Sequence, residues 1–135
     1  MLKLSQTGDD ALNALCYIAE HSPEVVQIRD IAEYHRISES CLRLIIADLA
    51  KARIIETKQG RGGGVYLTKK SSEISLYDVL YAVGEELGIV DCTRGASCAR
   101  QENCYSTHIL SNLQRAMHSL LKMQTIDKII KNKHT

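Results

Sequence analysis

Three of the five cysteines in this 135-residue chain are evenly spaced, as Cys92-x5-Cys98-x5-Cys104. Thiolates are soft ligands that select zinc, copper(I) or iron–sulfur clusters. Three of them within thirteen residues, in a stretch rich in Gly, Ser and Thr, can converge on one centre. Zinc ribbons and knuckles usually use Cys-x2–4-Cys chelate loops. The wider spacing here suits a cluster better, because each iron is a separate anchor point, and Arg94 and Arg100 between the cysteines offset an anionic cluster. Most clusters take four protein ligands, so a fourth group is needed. His108 lies four residues beyond Cys104, and a domain-swapped second copy can bring in Asp9 or Asp10. Cys16, beside an apolar helical stripe, and Cys41, inside a helix, are expected to be buried or half-buried small residues. The competing readings of the triad are a zinc site, a metal-free thiol switch or three ordinary thiols.

A second constellation is basic and glycine-rich. Gly60-Arg61-Gly62-Gly63-Gly64 separates two short apolar runs, Ile54–Lys58 and Val65–Thr68. Such a sequence predicts a hairpin whose tip adopts positive φ and approaches another surface closely. Before it, apolar periodicity predicts helices over 9–21, 27–35 and 39–52, with Ser38 as the N-cap of the third. The last two, joined by Arg36-Ile37-Ser38, form a helix-turn-helix, and a hairpin directly after one is a wing. In that geometry Ser38, Ser40 and Arg43 lie near the helix end that enters the major groove, where Arg43 can pair with a guanine edge. Arg61, followed by Gly62 and Gly63, suits the narrow minor groove. Arg36, Lys58, Lys69 and Lys70 are expected on phosphates.

These sites need a scaffold, and the chain supplies a modest one. Hydrophobic residues make up 44% of it, with no Phe or Trp, so the core must be aliphatic. Residues 28–70 carry nine Lys/Arg against five Asp/Glu, while the remainder is net acidic, consistent with one part facing a polyanion. No apolar run reaches membrane-spanning length, and the start from Met1 to Gln6, leading into Asp9 and Asp10, lacks the pattern of a secretory signal. A cytoplasmic protein is expected, where structural disulfides are rare. Further helices are predicted over 75–84, 106–123 and 126–130. The long one carries its own apolar stripe (Ile109, Leu110, Leu113, Met117, Leu120, Leu121), which a partner subunit can cover. The expected fold is mainly α with a small β-hairpin wing: a winged helix-turn-helix over 1–84, a cysteine loop over 85–105, and a long dimerisation helix plus a terminal helix over 106–135. No phosphate-binding loop or Cys/His pair at catalytic spacing argues for an enzyme. An iron–sulfur carrier or assembly protein is the rival from another class, though it would have no use for a basic wing.

The combined pattern resembles the Rrf2 family of winged-helix regulators over nearly the whole chain. The resemblance rests on Ala11-Leu12-Asn13-Ala14-Leu15, Ile28-x2-Ile31-Ala32, Ile37-Ser38-x-Ser40-x-Leu42, the wing from Gly60 to Leu67, the segment from Ile74 to Val79, and the cysteine triad. It implies a homodimer with crossed long helices that binds a pseudo-palindromic double-stranded DNA operator. It also implies a cluster held by Cys92, Cys98 and Cys104 that controls DNA affinity, with repression as the expected outcome. In NsrR-like members an aspartate from the partner's first helix completes a [4Fe–4S] site, and Asp9 falls at that position. In IscR-like members a histidine three residues after the last cysteine completes a [2Fe–2S] site. Here Thr107 holds that position and His108 is one residue late, so the resemblance favours Asp9. IscR-like members can carry an acidic residue where this chain has Arg43, which implies a different base preference.

Overall fold

The computed structural model describes residues 3–89 and 104–134. Among the described residues there are six helices and one two-stranded hairpin, which packs against the first and third helices, and the long fifth helix has no buried residue. The order is α1 (Gln6–Glu20), α2 (Ile28–His35), α3 (Glu39–Lys51), β1 (Ile55–Lys58), β2 (Gly64–Leu67), one 3-10 turn (Ser71–Glu73), α4 (Leu76–Ala82), α5 (Tyr105–Met123) and α6 (Ile126–Lys133). This is the expected winged helix-turn-helix with a long C-terminal helix.

Helix α1 starts earlier than Asp9. Ser5 caps it, its hydroxyl accepting from the Gly8 N–H at 3.1 Å. Ala11, Ala14, Leu15 and Ile18 recur at helical spacing and are all fully buried. They meet Ile31 of α2, Leu42, Ile45 and Leu49 of α3, and Ile55 and Val65 of the hairpin in one aliphatic core. Each large aliphatic side chain fully buried there contributes roughly 1.5–3 kcal/mol. Ile126 of α6 is fully buried in the same core. The chain reaches it through an antiparallel bridge between Ser75 and Thr125. Ser75 also opens α4 with a reciprocal capping box to Asp78.

The hairpin pairs β1 and β2 antiparallel, with Ile55 opposite Leu67 and Glu56 opposite Tyr66. Val26, just before α2, adds a bridge to Val65 through N–H···O bonds of 2.9 and 2.8 Å. The wing is thereby tied to the entrance of the helix-turn-helix. This contact explains Gly64: a Cβ there would lie 2.1 Å from the Val26 carbonyl oxygen.

Candidate functional site

The outward end of α3 is built by Ser38. Its hydroxyl accepts from the Cys41 N–H at 3.3 Å, fixing the first turn with Glu39 and Ser40; these and Arg43, one turn on, stand exposed. Ser38, expected to touch DNA, is therefore first a helix cap, with its hydroxyl proton still available as a donor. Cys41 departs from expectation. It is exposed, not buried, because it precedes the buried Leu42 by one residue, a rotation of roughly 100° away from the core face.

The turn before α3 is held by an arginine in an unusual backbone state. Arg36 ends α2 with φ 55° and ψ 44°, the left-handed region, and its N–H donates to the Ala32 carbonyl. The Ile37 N–H donates to the same carbonyl at 3.0 Å. This double closure lets the chain reverse within two residues and leaves the Arg36 side chain exposed.

Across from α3 stands the wing. Tyr66 donates to Glu56 across the strands at 2.7 Å, and that bond raises the Tyr66 hydroxyl above its ordinary pKa. At the tip Gly62 has φ +71° with nothing near its Cβ position, so the turn carrying Arg61 stays thin. A Cβ on the neighbouring Gly63 would lie 2.3 Å from the Lys58 carbonyl oxygen. Between wing and α3 runs an open groove of about 580 Å³. The structure brings Arg43, Lys58, Arg61, Gly62 and Gly63 together along it. It adds Arg29, at the start of α2, which sequence reasoning passed over. Arg29 lies next to Ile28 of the core stripe, and its outward side was legible from the helical period, but its proximity to a hairpin some thirty residues later was not. Lys58 and Arg61 are exposed, as are Lys69 and Lys70 beyond the second strand. The arrangement is a cationic cleft with a helix on one wall and a thin loop on the other.

The sulfur site is described in part. Cys92, Cys98, Arg94 and Arg100 lie outside the described residues. Cys104 is the N-cap residue of α5. It makes no regular side-chain capping bond. Even so, the Thr107 side chain, followed by the backbone N–H groups of Thr107 and Ser106, holds its thiol below the ordinary range. A helix start supplies unpaired N–H groups and partial positive charge, and both favour a thiolate. Thr107, three residues after Cys104, lies beside this sulfur. His108 is exposed, with Nε2 3.5 Å from the Asn112 side-chain nitrogen. Asp9 is exposed on the first turn of α1. Among the described residues no group of three or more His, Cys, Asp or Glu side chains could hold a metal ion.

One connection between these regions was not foreseen. The Ser5 N–H donates to Glu85 Oε1 at 3.1 Å, and the Ser5 hydroxyl donates to Glu85 Oε2. The segment that leads toward the cysteines is thereby fastened to the end of α1 that carries Asp9. Gly8 packs closely under this clamp: a Cβ there would meet Glu85 Oε2 at 2.7 Å and Leu4 Cδ1 at 2.8 Å, so both side chains would have to shift.

Helix α5 has no buried residue. Ile109, Leu113, Leu120 and Met123 are 55%, 51%, 61% and 61% exposed, yet at 3.6 residues per turn they fall on a strip roughly 80° wide. No helix among the described residues is long and apolar enough to cross a membrane.

Comparison with known proteins agrees with this geometry. The Rrf2 model, described as an iron-dependent transcriptional regulator, matches residues 4–132. The transcriptional regulator NsrR of Bacillus licheniformis is 31% identical over 134 residues, covering 97% of this chain and 94% of that protein. IscR of Pectobacterium atrosepticum is 30% identical over 133 residues, covering 98% and 81%. Among solved structures, CymR, the global cysteine regulator of B. subtilis, superposes with a TM-score of 0.82 at 20% identity, covering 98% of each chain. IscR of T. potens does so with 0.78 at 21% identity, covering 98% of this chain and 88% of that one.

Proposed function

Because this chain belongs to the Rrf2 family and is a DNA-binding transcriptional regulator, not an enzyme, we propose that it is a homodimeric repressor whose operator affinity is set by an iron–sulfur cluster on Cys92, Cys98 and Cys104. In this reading residues 1–84 bind DNA, 85–105 bind the cluster and 106–135 form the dimer contact and closing helix. The exposed apolar strip of α5 supports a self-complementary interface, since water would otherwise face four large apolar side chains in line.

The observation that carries the cluster reading is Cys104 as the N-cap residue of α5, where the unpaired N–H groups of the helix start favour an anionic sulfur. A thiolate is the ligand form a cluster needs. Asp9 of the partner subunit is the better fourth ligand. Its carboxylate is exposed, while Thr107 stands where a histidine ligand would be, and His108 faces Asn112. This ligand set favours [4Fe–4S] over [2Fe–2S]. When bound, the cluster supplies a link sensitive to iron supply, oxygen and nitric oxide. The chain's own residues convert that link into geometry. Cys104 anchors the start of α5, and the Ser5–Glu85 clamp ties the cysteine segment to α1. Ile126 then fastens the far end of α5 to the winged-helix core.

On DNA, Arg43 with Ser38 and Ser40 reads base edges in the major groove, and Arg61, followed by Gly62 and Gly63, enters the minor groove. Arg29, Arg36, Lys58, Lys69 and Lys70 take phosphates. Two such units spaced by about 34–36 Å would meet adjacent major grooves of a pseudo-palindromic operator, and Cys92, Cys98 and Cys104, ordered on a bound cluster, would shift the dimer population toward that spacing.

The test is an anaerobic visible spectrum with iron and acid-labile sulfide counts on the wild type and Cys98→Ala. A brown protein bleached by the substitution is expected, with Asp9→Ala weakening the cluster and His108→Ala sparing it. A colourless protein that gains no cluster on reconstitution removes the iron–sulfur reading and leaves a thiol or zinc sensor. Equal operator affinity of cluster-loaded and cluster-free protein removes the control.

A further inference from the structure

The groove between wing and recognition helix holds one carboxylate among its cations. Of the residues that line it, Arg29, Arg43, Lys58 and Arg61 are basic and Glu39 alone is acidic. A carboxylate facing a polyanion weakens every phosphate contact nearby, whatever the sequence. Glu39 is also not idle. Its Oε1 lies 3.4 Å from an Arg43 terminal nitrogen, one helical turn further on. Both side chains are exposed, 62% for Arg43 and 48% for Glu39, so the pair does little for stability and lies open to a ligand.

We infer that Glu39 is a specificity-determining residue that acts with Arg43 as one reading unit. The inference rests on the reading of α3 as the recognition helix. Arg43 is long and has many rotamers, and a two-point contact with a guanine edge requires one of them. Glu39 holds one terminal nitrogen and leaves the remaining N–H donors to the base. The carboxylate itself can accept only. Beside the guanine it welcomes the amino group of cytosine and repels edges that present oxygen or ring nitrogen. The same charge disfavours non-specific duplex. Glu39 therefore trades overall affinity for discrimination.

The test is binding-site selection by the full chain, purified anaerobically, from duplexes with a randomised centre, followed by titration of a selected and a scrambled duplex. The variants are Glu39→Gln, Glu39→Asp, Arg43→Ala and the double variant Glu39→Gln/Arg43→Ala. Wild type is expected to select a guanine with a defined neighbour in each half-site. Glu39→Gln should bind scrambled duplex several-fold more tightly and lose about tenfold in the selected-to-scrambled ratio, the cost of one good base contact. Glu39→Asp keeps the charge but falls short of Arg43, so it should lose the guanine preference without the gain on scrambled duplex. In the double variant the Glu39 change should alter base preference no further than Arg43→Ala does. Unchanged preference at every position in Glu39→Gln overturns the inference while leaving the DNA reading intact. A uniform loss on all duplexes that tracks a lowered thermal midpoint overturns it too, since Glu39 would then only stabilise the helix start. Wild type that selects no sequence overturns both.

Discussion

Replacing Arg36 by glycine should make the protein more stable and a poorer DNA binder. Arg36 sits at φ 55°, ψ 44° in the turn of the helix-turn-helix. A residue with a Cβ pays about 1–2 kcal/mol for that region, and glycine enters it freely at the expense of about 0.5–1 kcal/mol of extra unfolded-state entropy. The difference is a net gain of about 0–1.5 kcal/mol, centred on about 0.75 kcal/mol, or about 2–4 °C in thermal midpoint at that centre for a chain of this size. The bonds that close the turn are from backbone N–H groups to the Ala32 carbonyl, so the substitution leaves them in place. On DNA the exposed guanidinium is lost. Each phosphate contact contributes about 0.9 to the slope of log K against log salt, so a dimer should lose about two from that slope, alike on all sequences.

The assay is denaturant unfolding at fixed protein concentration, because a dimer's stability depends on it, paired with duplex titrations at several salt concentrations. Arg36→Ala serves as the control that removes the charge and keeps the strained backbone. A midpoint for Arg36→Gly no higher than that of Arg36→Ala refutes the strain argument. An unchanged salt slope in both variants refutes the phosphate contact. The two halves fail separately. If both hold, an arginine is kept in a glycine position because its side chain is needed there, which is what backbone strain at a binding surface ordinarily marks.

Other perturbations probe the wing, the dimer and the thiols. Gly64→Ala drives a Cβ against the Val26 carbonyl and should cost about 1–3 kcal/mol, as overpacking does; operator affinity should fall with it, and wild-type stability by denaturant unfolding would refute the close approach. Leu113→Lys with Leu120→Lys puts charge on the exposed strip of α5 and should yield monomers in sedimentation velocity; an unchanged dimer would place the interface elsewhere. Burial pushes the Cys16 thiol up to about 11, with the charge of Glu20 acting the same way, whereas Cys41 is exposed. At pH 8 iodoacetamide should therefore label Cys41 well before Cys16, with Cys16 gaining speed only as pH climbs toward 11; equal rates by peptide mass spectrometry would show that α1 opens freely. The His134 ring near Glu20 Oε1 at 3.0 Å holds that carboxyl below its ordinary value of 4.5. A depressed carboxyl stabilises the fold above its unfolded pKa and ceases to do so as pH falls through its folded one. Glu20→Gln should thus flatten the acid limb of stability below about pH 4.5 by less than 1 kcal/mol for so exposed a pair, and an identical acid limb would dismiss the pair.

The order of elements was legible because each helix carries its own period. Leu42, Ile45, Ile46 and Leu49 are spaced for one face, and all four are buried. The hairpin was legible from its glycines. What periodicity misreads is the element end. Asp9 and Asp10 look like the start of α1, since acidic residues favour a helix N-terminus, but the N-cap is Ser5. Gly8 hides this by resembling a helix breaker, and the close approach of Glu85 and Leu4 that favours it is tertiary. Helix α6 likewise runs on to Lys133, past the last apolar residue, Ile130.

Distance along the chain sets the other limit. Ser5 and Glu85 are 80 residues apart, and no local pattern announces that a carboxylate will take both donors of a serine. The same holds for Arg29, an ordinary surface arginine until the wing folds opposite it. By contrast the Glu39–Arg43 pair is local, one turn apart on an exposed face. Both residues stand outward by the helical period, and sequence reasoning assigns Arg43 a base-reading role while leaving Glu39 without one. The reason lies in how charge is counted. A segment total treats Glu39 as one of five negatives subtracted from nine positives, whereas in the structure it pairs with Arg43, the arginine proposed to read base edges. Net charge measures how strongly a surface is drawn to DNA; the placement of its one opposing charge bears on which DNA it holds.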